Sequence, residues 1–122
     1  MLQHVTLEVP PDKVRDCVAF WELLGFAELE PPESLRGRFI WIGKDGTHIH
    51  LMPLDAPAIP AQGHTAIVSD DAERDVATLR EHGFDPQPGS NAWNAPRWFV
   101  HDPAGHRVEV MSAPPPSVTV GG

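Results

Sequence analysis

Three histidines and one glutamate have the residue types of a metal site: His4, His50, His64 and Glu109. Three imidazoles and one carboxylate suit Zn²⁺, Ni²⁺, Co²⁺, Mn²⁺ or Fe²⁺, whereas Ca²⁺ prefers a shell of oxygen ligands. The residue types alone do not choose among the five ions.

The alternation of apolar residues predicts the strands that carry these four side chains. Each of the four is followed by an apolar or branched residue, in a run with the two-residue period of a half-buried strand. Successive side chains of a strand point to opposite faces, so all four are predicted to face away from the helices. They are predicted to project into a cleft.

The chain repeats itself at an interval of 58 to 60 residues. This interval separates four pairs of landmarks: His4 and His64, Gly25 and Gly83, Gly46 and Gly105, His50 and Glu109. The pattern predicts an α+β fold of two βαβββ modules that form an open half-barrel around a concave surface. Pseudo-twofold symmetry would then bring the two pairs of polar residues to one point.

The same patterns predict the bounds of the elements. The first helix is predicted over residues 12–24, and the second begins at Asp70, with Glu73 placed for a capping box, and ends before Gly83. Strands are predicted over residues 2–9, 26–29, 38–42, 47–52, 64–68, 84 onward, 97–101 and 106–111.

Composition predicts one domain over residues 1–112, with repeats at about 1–54 and 62–112. Residues 53–62 contain three prolines and are predicted to be a linker, and the Pro- and Gly-rich residues 113–122 are predicted to be a disordered tail. The single cysteine, Cys17, lies in an amphipathic helix pattern and is predicted to be a small buried hydrophobe.

Charge and hydropathy bear on partners and location. The formal net charge of −8 argues against binding to nucleic acid, which needs clustered Lys and Arg. No apolar run reaches the length of a membrane span, and the first residues follow a strand pattern rather than that of a signal peptide. We therefore expect a cytoplasmic protein with neither a nucleic-acid nor a membrane partner.

Four segments resemble the vicinal oxygen chelate superfamily, which includes glyoxalase I, extradiol dioxygenases and bleomycin-resistance proteins. The segments are Leu2–Val9, His48–Leu51, Gly63–Val68 and Asp102–Val110, the last being the most family-specific. The resemblance covers residues 1 to about 112 and implies the glyoxalase/bleomycin-resistance/dioxygenase fold. It also implies metal ligands at His4, His50, His64 and Glu109, a substrate that chelates the metal through vicinal oxygens, and a homodimer.

Three activities are compatible with this resemblance. A glyoxalase-like lyase or isomerase would use all four ligands, with a carbonyl and an adjacent hydroxyl oxygen of the substrate on the metal. Glu109, as the catalytic residue, or a metal-bound water would move the proton. An extradiol dioxygenase would use a triad of His4, His64 and Glu109, and His50 argues against it by filling a position that such enzymes leave open. A metal-free binding protein of the bleomycin-resistance type suits the acidic charge and the four tryptophans. A thiol transferase of the fosfomycin-resistance type is disfavoured because the chain has no tyrosine.

Further residues are candidates for the substrate pocket. His48 shares a strand face with His50 and could be a hydrogen-bond partner, a proton shuttle or an alternative ligand. Trp93 lies in a polar loop where no core pattern requires it, and Arg97 is the best-placed cation for an anionic group of the substrate. With Trp41, these residues complete the predicted site: His48, Trp41, Trp93 and Arg97.

Overall fold

The computed structural model describes residues 1–121 and consists of two βαβββ repeats. The first repeat contains β1 (His4–Val9), α1 (Val14–Leu23), β2 (Ala27–Leu29), β3 (Ile40–Lys44) and β4 (Thr47–Pro53). The second contains β5 (His64–Val68), α2 (Ala72–Glu81), β6 (Gln87–Pro88), β7 (Arg97–His101) and β8 (Arg107–Met111). Single turns of 3₁₀ helix at Pro11–Lys13 and Glu33–Leu35 precede α1 and β3.

Each repeat forms its own four-stranded sheet, in the order β1-β4-β3-β2 or β5-β8-β7-β6. The first strand of each repeat runs parallel to the last, and the other pairs are antiparallel. The crossover through α1 or α2 is what makes a parallel pair possible. Neither sheet closes on itself, so the predicted α+β fold of two βαβββ modules is confirmed.

One hydrophobic core joins the two repeats. Helix α1 buries Cys17, Phe20 and Trp21. Phe20 makes an edge-to-face contact with Phe84 of the second repeat, with the ring centroids 5.0 Å apart. Burial raises the pKa of the Cys17 thiol to about 12, so the residue is an inert apolar side chain, as its pattern predicts.

The start of α2 differs from the prediction. Asp71, rather than Asp70, is the N-cap residue, and its carboxylate accepts a hydrogen bond from the backbone N–H of Arg74 at 3.1 Å. Ser69 accepts a hydrogen bond from the N–H of Asp71 and donates one to Asp75. Ser69, Asp70 and Asp71 all belong to residue types that cap helices well. The sequence pattern therefore does not decide at which of the three the helix begins.

The two connections that lead into β4 and β8 are tight turns. Asp45 and Gly46, with φ of 52° and 83°, join β3 to β4, and positive φ at both positions is typical of a type I′ hairpin. In the matching turn between β7 and β8, Asp102 Oδ1 accepts hydrogen bonds from the N–H groups of Ala104 and His106 at 2.9 and 2.8 Å. These turns fix the register of β4 and β8.

The C-terminal segment has no helix or strand in the part of the tail that the structure describes, residues 113–121, and residues 114–121 are exposed. The predicted disordered tail extends to Gly122, which lies outside the described residues. Within residues 1–121, no helix combines the length and the apolar character needed to cross a bilayer.

Candidate functional site

The candidate residues form two clusters, one on each sheet. The imidazole cluster, on β1, β3 and β4, consists of His4, Trp41, His48 and His50. The carboxylate cluster, on β5, β7 and β8, consists of His64, Arg97, Phe99 and Glu109.

Flat rings stack in the imidazole cluster because the strands hold them in register. Trp41 pairs with His50 across β3 and β4, and their ring centroids lie 4.2 Å apart with an interplanar angle of 4°. His4 stacks on His50 with the centroids 4.1 Å apart. His48 Nδ1 lies 3.3 Å from His50 Nε2, so these two rings share a hydrogen bond.

His50 is held in its neutral form. The residue is only 7% exposed. Burial, with smaller contributions from the nearby His4 and His48, lowers its pKa to about 4. A histidine must lose its proton before it can bind a metal, so His50 is prepared for that role at neutral pH.

The carboxylate of Glu109 is buried and has a partner on each oxygen. The residue is 4% exposed. His64 Nε2 lies 3.1 Å from Oε1, and Arg97 Nη1 donates to Oε2 at 3.2 Å. A buried charge needs such partners because burial removes its hydration. His64 Nδ1 is 3.0 Å from the carbonyl oxygen of Gln62, which leaves Nε2 as the nitrogen that faces Glu109.

The donor atoms of these pairs have a spacing that suits metal binding. Two ligand atoms about 2.1 Å from one ion, at right angles to each other, are about 3 Å apart. The 3.1 Å between His64 Nε2 and Glu109 Oε1 matches this separation. Imidazole nitrogens and carboxylate oxygens are donors that divalent transition metals accept, so the residue types suit such an ion, and the shared coordination by all four residues stays a prediction.

Arg97 is fixed on three sides. Its guanidinium lies over the rings of Trp93 and Phe99, at 4.8 and 5.2 Å from their centroids. It also donates to Ser90, to Oγ at 2.7 Å and to the carbonyl oxygen at 3.0 Å. These contacts, with the bond to Glu109, place Arg97 as an orienting partner of the carboxylate, whereas the sequence suggested a contact with the substrate.

The other predicted pocket residues have different positions. Trp41 and His48 line a cavity of about 520 Å³ against the first sheet, together with His4 and His50. Trp93 covers Arg97 and donates its indole N–H to the carbonyl oxygen of Ala113 at 3.0 Å. Trp93 therefore ties the start of the C-terminal tail to the second repeat.

The four candidate ligands lie as two pairs within one chain. His4 contacts His50, and His64 contacts Glu109. Among residues 1–121, no group of three or more His, Cys, Asp or Glu side chains is arranged to hold a metal ion. His64 lines a separate cavity of about 420 Å³, which the first repeat borders with residues that include Thr6 and Glu8. The pairing of β1 with β4 and of β5 with β8 brings the two residues of each pair close together. The distance between the two pairs depends on how the two repeats pack.

Two residues that contact the candidate site, Phe99 and Ser90, were not predicted from the sequence. Phe99 pairs with Glu109 across β7 and β8, and its ring makes an edge-to-face contact with His64, with the centroids 5.3 Å apart. Phe99 lies opposite Glu109 as Trp41 lies opposite His50. The repeat could therefore have predicted an aromatic ring beside Glu109. The contact of Ser90 with Arg97 left no signal in the sequence.

His106 lies in the β7–β8 turn and links the two repeats. The residue is buried, and its Nε2 lies 2.7 Å from the carbonyl oxygen of Glu8 on β1. The role is structural, since the bond ties this turn to the free edge of the first sheet.

Comparisons with known proteins agree on one family. The model of the Glyoxalase/Bleomycin resistance protein/Dioxygenase superfamily matches residues 2–110. A protein of Bacillus anthracis assigned to the glyoxalase family has 24% identity and a TM-score of 0.83, over 91% of this chain and 93% of that one. A glyoxalase/dioxygenase from Nostoc punctiforme has 20% identity and a TM-score of 0.74, over 93% and 91%.

A lactoylglutathione lyase from Agrobacterium tumefaciens has 16% identity and a TM-score of 0.70, over 91% of this chain and 92% of that one. No curated protein matches the chain by sequence. At these identities, the solved structures establish the fold alone.

Proposed function

The chain belongs to the Glyoxalase/Bleomycin resistance protein/Dioxygenase superfamily, and from this premise we propose that it is a metal-dependent enzyme of the glyoxalase-like type, a lyase or isomerase. Its substrate would be a small molecule that binds the metal through two vicinal oxygens. The metal would be a divalent ion, one of Zn²⁺, Ni²⁺, Co²⁺, Mn²⁺ and Fe²⁺, held by His4, His50, His64 and Glu109.

One observation carries the proposal: a buried carboxylate and an imidazole face each other in the second repeat at 3.1 Å, while the first repeat keeps a buried imidazole neutral. A purely structural core has no need of three imidazoles and a carboxylate on strands that are otherwise apolar. The donors therefore match the chemistry of the proposed ion.

A bound divalent ion would polarise the two substrate oxygens and acidify the C–H bond between them. Glu109 is the residue best suited to move the proton, because its Oε1 faces the site while Arg97 holds Oε2. In this arrangement Arg97 fixes the plane of the carboxylate, and Trp93 shields the guanidinium. The stacked rings of Trp41 and His4 fix the plane of His50 in the same way.

We propose further that a second copy of the chain completes the site. His4 and His50 line one cavity of a single chain, and His64 lines another. In a homodimer, the first sheet of one protomer could face the second sheet of its partner, and a twofold axis would create two equivalent sites.

Metal content tests the proposal directly. Protein purified without chelator is expected to contain about one divalent ion per chain, measured by mass spectrometry, and the His50→Ala and Glu109→Ala variants are expected to lose it. His82→Ala is the matched control, because His82 lies at the end of α2 and bonds to the Thr78 carbonyl oxygen. An absence of metal after reconstitution with each of the five ions would reject the proposal.

The reaction class follows from a substrate screen on the metal-loaded protein. The fold is shared with proteins described as a lactoylglutathione lyase and as oxidases, so 2-oxoaldehyde–thiol adducts and epimerisable acids should be tested beside catechols. Turnover of an adduct or an acid without consumption of dioxygen is the expected result. Dioxygen consumption with a catechol would instead support an extradiol dioxygenase.

A metal-free binding protein is the second candidate, because the ligand residues of a single chain lie in two separate pairs. The net charge of −8 suits a large cationic ligand. Titration of chelator-treated protein with a cationic glycopeptide tests this candidate, and an absence of binding would reject it.

A further inference from the structure

We propose that the cavity beside the imidazole cluster binds a flat, uncharged, apolar part of the substrate, such as an aromatic ring. The inference rests on the proposed function, because it assigns the portion of the substrate that lies beyond its metal-binding oxygens. The cavity has a volume of about 520 Å³. That is large enough for a small-molecule ligand, since such pockets measure roughly 300–1,000 Å³.

Apolar side chains from two parts of the first repeat form the walls of this cavity. Leu35 and Phe39 come from the segment between β2 and β3, while Trp41 and Met52 come from the sheet. The segment therefore covers the cavity from one side. A ligand in this position would contact Leu35 and Phe39 on that side and the sheet on the other.

The lining carries no formal charge at neutral pH apart from what its histidines supply. Within the part of the chain that the structure describes, none of the lining residues is Asp, Glu, Lys or Arg. With the metal removed, a charged ligand group would lose its hydration here without gaining a counter-charge, so the metal-free cavity favours uncharged groups.

The shape of the wall favours a planar group. Trp41, His50 and His4 form a continuous stack, with interplanar angles of 4° and 18° between successive rings. The indole N–H of Trp41 is buried and has no hydrogen-bond partner, which is unfavourable for a polar atom. The flat surface of Trp41, rather than its hydrogen bonding, explains why a tryptophan suits this position.

The second repeat supports the assignment by contrast. Phe39 stands two residues before Trp41, and Arg97 stands two residues before Phe99, at the matching place in the other repeat. A charged residue at that place pairs with Glu109, whereas a phenyl ring at the same place lines a cavity.

Binding of naphthalene probes to the full chain, with its metal removed by a chelator, tests the proposal. The fluorescence of 2-naphthol should report binding to the wild type, and 2-naphthalenesulfonate, with the same ring and a negative charge, should bind at least about tenfold more weakly. Leu35→Ala should weaken 2-naphthol binding about fivefold or more by removing apolar contact. Phe39→Arg should abolish binding.

Leu23→Ala is the matched control. Leu23 is partly buried, as is Leu35, but lines a different apolar cavity between α1 and the β7–β8 turn. This variant should bind 2-naphthol as tightly as the wild type. The proposal is overturned if the wild type does not bind 2-naphthol, if both probes bind equally well, or if Leu23→Ala weakens binding while Leu35→Ala does not.

The two proposals fail separately because the probe needs no metal. A chain that never binds metal but binds 2-naphthol through Leu35 would end the proposed enzymatic function and support the specificity of the cavity. A chain that binds metal through His50 and Glu109 but does not bind 2-naphthol would support the proposed function and overturn the assignment of the cavity.

Discussion

In the first repeat, the ring opposite the candidate ligand is Trp41, which stacks on His50. In the second repeat, it is Phe99, which pairs with Glu109 in register and presents an edge-to-face contact to His64. The backbone plan is the same in both. The side chains on it form an uncharged cluster of imidazoles in one case and an ion-paired carboxylate in the other.

Under the proposed function, the two repeats would divide one chemical task. A metal site needs imidazole or similar donors and at least partial compensation of the ion's charge. Among the candidate ligands, both sheets offer imidazoles, whereas the negative charge comes from Glu109 on the second sheet. Arg97 holds that carboxylate in place.

The largest expected effect comes from substituting one cluster in one chain and the other cluster in a second chain. A chain with His4→Ala and His50→Ala, and a chain with His64→Ala and Glu109→Ala, should each bind no metal. Co-expressed, they should form heterodimers that bind about one metal each, because one protomer supplies an intact first sheet and its partner an intact second sheet. Mass spectrometry of the metal bound to the isolated heterodimer is the measurement.

The outcome distinguishes two arrangements of the site. Recovery of metal in the heterodimer supports a site shared between protomers. If each double variant lacks metal and the heterodimer lacks it too, the two clusters of one chain must form the site together. A wild-type chain paired with either variant is the control for assembly.

A smaller effect is expected from Arg97→Lys. A lysine cannot reproduce the fork of hydrogen bonds to Glu109 and Ser90, so the carboxylate loses its fixed orientation. Loss of such an outer partner typically weakens metal binding about 10- to 100-fold. Competition with a chelating dye would measure the dissociation constant.

Arg107→Lys is the control for that experiment, because Arg107 lies over the same Phe99 ring with its guanidinium carbon 3.7 Å from the centroid. Its substitution should leave metal affinity within about twofold of the wild type, since a change of this kind away from the ligands has a small effect. Equal metal affinities of the wild type and the Arg97→Lys variant would show that Arg97 does not support metal binding.

The helices of the two repeats also differ, and Asp71→Ala sharpens that contrast. Asp71 caps α2 through the N–H of Arg74, whereas Lys13 at the start of α1 makes no side-chain capping bond. Asp71→Ala should lower the free energy of unfolding by about 1 kcal/mol. Lys13→Ala should change it by less than about 0.5 kcal/mol in the same urea titration. Equal losses would contradict the assigned caps.

The smallest expected effect concerns Asp102, in the turn between β7 and β8. Burial raises the pKa of Asp102 above the ordinary 3.8, although backbone N–H groups oppose the rise. The folded chain then holds this proton more tightly than the unfolded chain. Stability contributed by Asp102 is therefore complete below pH 3.8 and is lost as the pH rises through the raised pKa.

Asp102→Asn tests this dependence, because asparagine keeps an oxygen for the N–H groups of Ala104 and His106 but does not titrate. Urea unfolding of both proteins across the acidic to neutral range should show a pH-dependent loss in the wild type that the variant lacks. Parallel curves for the two proteins would contradict the assignment.

Local physics made much of the fold predictable. The alternation of apolar residues gave β5 and β7 their observed bounds, His64–Val68 and Arg97–His101. The interval between the repeats predicted two βαβββ modules. Strand β3 is observed at Ile40–Lys44 rather than at 38–42, because Phe39 belongs to the segment that covers the first cavity. A strand pattern does not reveal where a covering segment ends.

The sequence by itself determined which residues share a strand face, because the two-residue period of a strand is a property of the local backbone. It thereby placed His4, His50, His64 and Glu109 on cleft-facing positions and predicted that they converge. Only the tertiary structure decided that His4 contacts His50 and His64 contacts Glu109 as two pairs, and that Arg97 contacts Glu109. Packing between sheets depends on contacts among residues far apart in the chain, which no local pattern contains.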